Sequence, residues 1–561
     1  MTSDASASRA DQAAPSARAP GWAAAACIGV SLLIMFVMAL NGPSVAAEAI
    51  KHDGAGPPWW YPLHLGDLFI LVSLWAAAVI ATAGVVLGLV AVARGASPSI
   101  RLMIGTSLGL TAVFAVLIPV GSTDVISYAI DGVMAATSHS PYVIEPVQFI
   151  KEGGTIGRYS SLTWQTSLSD YGPLATASEW LAVKLSGGSR SDVLTGANLA
   201  TMTFWLKLWA ALAFGAVVLL LDWLLRADDV MRRRAHLLWS LNPLLIWEIV
   251  AGGHIDGLAM AFGLAGIGLL WTRRPGTPAD APAEPIGLAR AAIAGALIGA
   301  ATAVKIPFAF YAIGAVWMLR HQIRQLVVVV VGCLIVLIPS YALAGSASIT
   351  VLFTRGNQEP TWDNLYNVFY RPFNPSTDSV PGNINDIAAI LLLGLVVLLL
   401  IRLPQRTPRW PAVPVAMALS LAWLFVWPFQ RPWYDVMVIG LLALYPASRL
   451  DWVVVGRLGF VAVTYMDAVT ILPRSSSMAM LQFHEGWWVT PAARLIAVIW
   501  LVWLCITGRW GWWSNPTEAP ASAPELLSPT KLSTVLLLCT ALWISTVDNM
   551  LPTSRRIHRL Y

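Results

Sequence analysis

The stretch Asp67–Ala93 reads DLFILVSLWAAAVIATAGVVLGLVAVA and carries no charged side chain after Asp67 until Arg94. A bilayer-spanning helix needs about 20 apolar residues, and this run exceeds that without a break. Its apolar residues do not alternate with polar ones, so it is not a strand of a membrane barrel. Runs of the same kind recur at 22–41, 101–120, 197–225, 325–344, 386–402, 411–428, 452–471, 492–508 and 532–551. Shorter or Gly/Pro-broken runs lie at 236–251, 256–272, 288–304, 306–319 and 433–447. Together they predict an all-α polytopic membrane protein with about 15 transmembrane helices.

Composition agrees with that reading. Of 561 residues, 57% are hydrophobic and 12% charged, half the share of about 25% that a soluble domain carries. The polar sequence is too scarce to coat the several domains into which a soluble chain of this length would split. An ordinary soluble enzyme, a disordered chain and a disulfide-stapled secreted module are excluded. The net charge of +5 sits in Lys and Arg at span ends rather than in a basic stripe, so no nucleic-acid partner is expected. Cys27, Cys333, Cys505 and Cys539 each stand alone in an apolar run, as small fillers of membrane helices.

Residues 1–21 read as a disordered cytoplasmic tail, 22–551 as one polytopic membrane domain and 552–561 as a basic C-terminal tail. The apolar core before Ala47-Glu48-Ala49 is longer than a signal peptide's, which favours an uncleaved first span. Lys and Arg in short loops set the orientation. With the N-terminus in the cytoplasm, Arg94, Arg101, Arg226, Arg232–Arg234, Arg273, Arg274, Arg320, Arg324, Arg402, Arg406, Arg409, Arg449 and Arg457 all fall inside. This requires 171–186 to lie at the outer surface rather than cross. The cluster at Arg555, Arg556 and Arg559 then falls outside and resists the scheme. The expected location is the plasma membrane, with the active site extracytoplasmic.

Under this topology the polar oddities gather on the outer side, in a loop at 121–196, a second long loop at 345–385 and several short turns. Asp124 follows a span directly. It is read either as a helix N-cap beside Ser122 and Thr123 or as a general base over a membrane-level cavity. Residues 124–136 have one apolar face, which suits a short interfacial helix. Gly252-Gly253-His254-Ile255-Asp256-Gly257 is either a tight turn with Asp256 capping the next helix or a His–Asp pair facing a polar headgroup. As half a metal site it lacks a clear third ligand. Lys305 either snorkels or contacts a lipid phosphate. Arg431, beside Trp433 and Tyr434, suits either the interfacial belt or a phosphate and sugar ring. Trp487, Trp488, Trp510, Trp512 and Trp513 read as interfacial anchors. Lys207, inside a span, needs an internal partner.

Five motifs in order resemble one family. They are Asp124-Val-Ile-Ser-Tyr128 with Pro141-Tyr142, then Tyr171-Gly-Pro-Leu-Ala-Thr176, Asn242-Pro-Leu-Leu245 with Gly253-His-Ile-Asp-Gly257, Ala303-Val-Lys-Ile-Pro307, and Arg431-Pro-Trp-Tyr-Asp435. The family is the actinobacterial polyprenol-phosphate-mannose-dependent α-1,6-mannosyltransferases, the MptB-like proteins of lipomannan synthesis. The resemblance covers about 100–450. Ile255 stands where the family pattern has Asn, and Gly257 where it has Ala. The resemblance implies a C-type glycosyltransferase fold with outward-facing catalytic loops. It implies a polyprenyl-phosphate mannose donor, a mannan glycolipid acceptor, and inverting transfer with Asp124 as general base. Lys305 and Arg431 are expected at the donor phosphate. Tyr128, Tyr171, His254, Asp256, Trp433 and Tyr434 are expected at the sugar and acceptor. No cofactor is required, because Lys and Arg can stabilise a phosphate leaving group; the sequence does not exclude a divalent metal. Three alternatives remain. A lipid transporter or flippase would show repeats and mid-span charges, a scaffold would not need charged groups gathered on one face, and a related transferase would move another sugar.

Overall fold

The structure, a computed structural model, describes residues 15–47, 50, 56–96, 98–277, 282, 284–355, 364–370, 384–404, 409–468 and 488–511. The expected last span at 532–551, the tail 552–561, most of the 345–385 loop, Cys539, Trp487, Trp512 and Trp513 lie outside the described residues. Helices account for the regular structure among the described residues, apart from isolated bridges such as Trp59 with Leu117.

The helices that frame the molecule are α1 (Pro15–Leu40), α2 (Asp67–Ala93), α3 (Ile100–Ala115), α4 (Asp124–Ala136), α5 (Pro173–Ser186), α6 (Leu199–Leu224), α7 (Asp256–Leu269) and α8 (Leu288–Val304). They continue with α9 (Ala309–Leu319), α10 (Ile323–Ala344), α11 (Ile384–Arg402), α12 (Val413–Val426), α13 (Val436–Leu444), α14 (Leu450–Ala468) and α15 (Thr490–Thr507). Helix α1 packs on α2, α2 on α14, α7 on α6 and α8, and α8 on α10. Outward faces such as Leu212 and Leu219 of α6 or Ile335 and Ile338 of α10 stay exposed and apolar, as lipid-facing surfaces do.

Among the described residues six helices are long and apolar enough to cross a membrane, or seven if the bent pair Pro243–Ala251 and Asp256–Leu269 forms one span. This is fewer than the about 15 expected from apolar runs. Five further apolar helices have only 10–17 residues, because the runs break where their backbone is used otherwise. The run 101–120 shows how. Helix α3 stops at Ala115, Ile118 N–H donates to Trp59 at 3.1 Å, and Lys207 Nζ donates to the carbonyls of Leu117 and Ile118 at 2.5 and 3.2 Å. These carbonyls are the internal partner that Lys207 requires.

Four further expectations change. Helix α1 begins at Pro15, inside the stretch read as a disordered tail. Helix α4 is not a one-faced interfacial helix: ten of its residues, including Asp124, Tyr128 and Asp131, are buried, because α5 and α6 cover it. Asp124 does not cap α4. Thr123 holds the cap position, and Asp124 is the first helical residue, its own N–H donating to Ser122 Oγ at 3.2 Å. Asp256 is likewise the first residue of α7, after Ile255 at the cap.

Candidate active site

Two local features deliver the motifs to one place. Gly172 N–H donates to the carbonyl of Val304 at 2.9 Å, and a Cβ at Gly172 would lie 2.0 Å from the Ala303 carbonyl oxygen. Only glycine allows that approach, which caps the end of α8 and sets Tyr171 beside Lys305. Gly253 has φ +75°, the left-handed region that suits glycine. It turns the broken span by 114° between Ala251 and Asp256 and sends His254 inward.

His254 is fully buried and stacks on Trp433, ring centroids 3.6 Å apart. Its Nδ1 faces the carbonyl of Glu248. A carbonyl only accepts, so we assign the proton to Nδ1. Nε2 then accepts from the Ser122 hydroxyl at 3.0 Å and lies 3.8 Å from Asp124 Oδ2. Asp124 is 5% exposed, and its Oδ1 has no partner among the described residues. Burial pushes its carboxyl up from 3.8 to about 7, with Arg431 pulling the other way. The Tyr465 hydroxyl lies 3.4 Å from Ser122 Oγ, and the Arg431 guanidinium lies 5.3 Å from the Tyr465 ring.

Lys305, 8% exposed, does not snorkel. Its Nζ pairs with Asp256 Oδ1 at 2.6 Å and sits 3.8 Å from the Tyr434 ring and 5.1 Å from the Tyr171 ring. The Tyr128 and Tyr171 hydroxyls are 2.8 Å apart. Asp435 pairs with Arg457, which also donates to the Leu424 carbonyl at 2.8 Å and Gln430 Oε1 at 2.9 Å. This pair clamps the segment that carries Arg431, Trp433 and Tyr434.

The expected residues thus form one connected site. Asp124, Tyr128, Tyr171, Arg431, Trp433 and Tyr434 line a cleft. His254 stands behind Asp124 rather than on the cleft wall, and one face of Trp433 is taken by His254. Asp256 and Lys305 form a pair next to the tyrosines. Among the described residues no three His, Cys, Asp or Glu side chains converge on a metal position. Sequence reasoning missed Tyr465, Trp164, Asp170 and the Asp435–Arg457 clamp. Asp170 stands directly before the Tyr171-Gly172-Pro173 motif, the one signal that pointed to it.

The family model for the alpha-(1->6)-mannopyranosyltransferase N-terminal domain matches residues 25–321, which hold Asp124, Tyr171, His254 and Lys305. The chain belongs to this family. The match bears out the resemblance seen in the sequence. A curated relative, alpha-(1->6)-mannopyranosyltransferase B of Corynebacterium glutamicum, is 26% identical over 215 residues. That stretch covers 38% of this chain and 34% of the relative, so the chain's match spans about a third of the relative's length.

Proposed function

We propose that this protein transfers mannose from a polyprenyl-phosphate mannose to a mannan glycolipid acceptor at the outer face of the membrane, with Asp124 as general base. The observation that carries the reading is the buried Asp124 carboxyl in the cleft, its Oδ1 unpartnered among the described residues and burial raising it to about 7, near the operating range of a general base. An acceptor hydroxyl oxygen attacks the anomeric carbon, and its proton passes to Asp124 Oδ1. The bond from that carbon to the donor phosphate oxygen breaks on the opposite face, so the product has the inverted anomeric configuration. The leaving polyprenyl phosphate carries the charge, which Arg431 and Lys305 stabilise. Lys305 must trade part of its contact with Asp256 for the phosphate.

His254 acts on Asp124 rather than on the sugar. Its Nε2 accepts from Ser122, which in turn holds the Asp124 backbone, so the imidazole fixes the carboxylate's place. The mid-span charge that a transporter would use is occupied: Lys207 is tied to two carbonyls of its own fold.

The test uses membranes expressing the chain, radiolabelled polyprenyl-phosphate mannose and a short α-1,6-mannoside lipid. Transfer by the wild type that collapses in Asp124→Asn supports donor and base together. Equal activity in both sinks Asp124 as the base. A folded, inserted wild type that transfers nothing sinks the mannose reading.

A further inference from the structure

Two chemically different groups of residues wall the cleft. One is Arg431, the cation of the lining, with Lys305 close by against Tyr434 and Tyr171. The other wall is the segment 160–170, which brings Ser160, Trp164, Ser169 and Asp170 to the lining. Ser160 and Ser169 are 5% and 6% exposed, and neither hydroxyl has a partner among the described residues. The hydroxyl of Ser127, a lining residue on α4, is equally unpartnered among the described residues. Buried polar groups are almost always satisfied inside a fold, so three unsatisfied hydroxyls on residues that line one cleft point to a ligand.

The segment is held in place from behind. Ser169 N–H donates to the Pro141 carbonyl at 2.9 Å, Gln165 Nε2 donates to the Ser160 carbonyl at 2.9 Å, and Ser160 N–H donates to the Gly157 carbonyl at 3.2 Å. The backbone groups are thus used for the fold, and the side-chain hydroxyls are left for something else. This wall contributes no cation to the lining, and Asp170 makes it acidic. It is therefore unsuited to a phosphate. Hydroxyls that both donate and accept, a carboxylate able to accept from two neighbouring hydroxyls, and a half-buried indole as an apolar plate match a neutral polyhydroxylated ring.

We propose that Ser160, Trp164, Ser169 and Asp170 form the acceptor-saccharide subsite, which holds a sugar ring of the glycan whose hydroxyl Asp124 deprotonates. The subsite rests on the glycosyl-transfer reading of Asp124. It assigns the substrates by charge: the anionic donor head to Arg431 and Lys305, the neutral acceptor ring to the residues of 160–170.

The experiment uses the full chain in detergent and an alkyl α-1,6-mannobioside as probe. In steady-state transfer, the double variant Ser160→Ala with Ser169→Ala is expected to raise the acceptor KM about tenfold and leave the donor KM within about twofold. Trp164→Ala should behave likewise, with Trp164→Phe restoring most of the affinity. Because the two serine hydroxyls have no partner among the described residues, the double variant should keep or raise the melting temperature. A lowered melting temperature, an unchanged acceptor KM, or equal increases in both KM values overturns the subsite. If the wild type transfers no mannose, the transfer reading fails separately, and mannobioside binding followed by ligand-observed NMR decides the subsite. Binding that the double variant loses supports it; binding equal in both proteins, or absent from the wild type, overturns it.

Discussion

Two buried acidic groups show what this fold does with charge. Asp451, in the first turn of α14, is fully buried against Arg234. Arg234 Nη2 and Nε reach its two oxygens at 2.5 and 2.8 Å, and the remaining Nη1 donates to the Tyr445 carbonyl at 2.9 Å. Both oxygens and the whole guanidinium fork are used. Asp124 is almost as buried, yet its Oδ1 has no partner among the described residues, and the cation in the lining, Arg431, is half-buried. Tyr465 of α14 reaches the Asp124 cluster 14 residues after Asp451, about 21 Å along the same helix at 1.5 Å per residue. One helix therefore joins a closed ion pair at one end to an open carboxylate at the other. A satisfied pair holds structure; an unsatisfied carboxylate stores a high proton affinity, which a general base requires.

The largest expected effect tests the open end. Asp124→Asn keeps the shape and should lower the transfer rate by about 10²–10⁴-fold, read as initial rate at matched protein level, with the melting temperature retained or raised. A loss below tenfold would place the base elsewhere. At the closed end, Asp451→Asn leaves a buried guanidinium without its counter-ion and should destabilise the fold by about 3–5 kcal/mol. Thermal unfolding in detergent measures this; a melting temperature unchanged within error would remove the distinction between the two regions.

The next prediction concerns pH. Arg431 lowers the proton affinity of Asp124 while burial raises it to about 7. Transfer should therefore fall on the acid side with a limb near 7. Arg431→Gln should move that limb to higher pH, because the opposing charge is gone. The kcat/KM profile of both proteins reads this, and a limb that moves to lower pH contradicts the assignment. The smallest effect is on stability. A carboxyl whose proton affinity is higher in the fold than in the unfolded chain loses stability as pH rises from about 4 to 7. Asp124→Asn should thus melt with the wild type near pH 3 and above it at pH 8. A variant less stable at pH 8 shows that the carboxylate supports the fold.

A good part of this contrast was legible in the chain. Asp124 stood out because a carboxylate directly after an apolar run is rare, and Lys305 because it interrupts one. Tyr171-Gly172-Pro173 and the glycine pair before His254 marked places where the backbone leaves helix geometry. Ser160 and Ser169 did not stand out, since serine in a loop usually bonds its own turn. Nothing in the order of residues told that they would be buried without partners. Asp435, Arg457 and Tyr465 were unreadable for the same reason: their partners lie 22 residues away or more.

The sequence alone determined that the chain is helical and membrane-embedded, since long uncharged runs admit no other burial of their backbone polar groups. It also placed the chain in its family through short motifs in order. Tertiary structure decided how many runs become full-length helices, because Lys207 and Trp59 claim carbonyls and amides that α3 would otherwise use. It decided too that Asp124 is an open carboxylate rather than a helix cap. Whether a buried polar group is satisfied depends on which distant segments close over it, and that is a property of packing, not of local pattern.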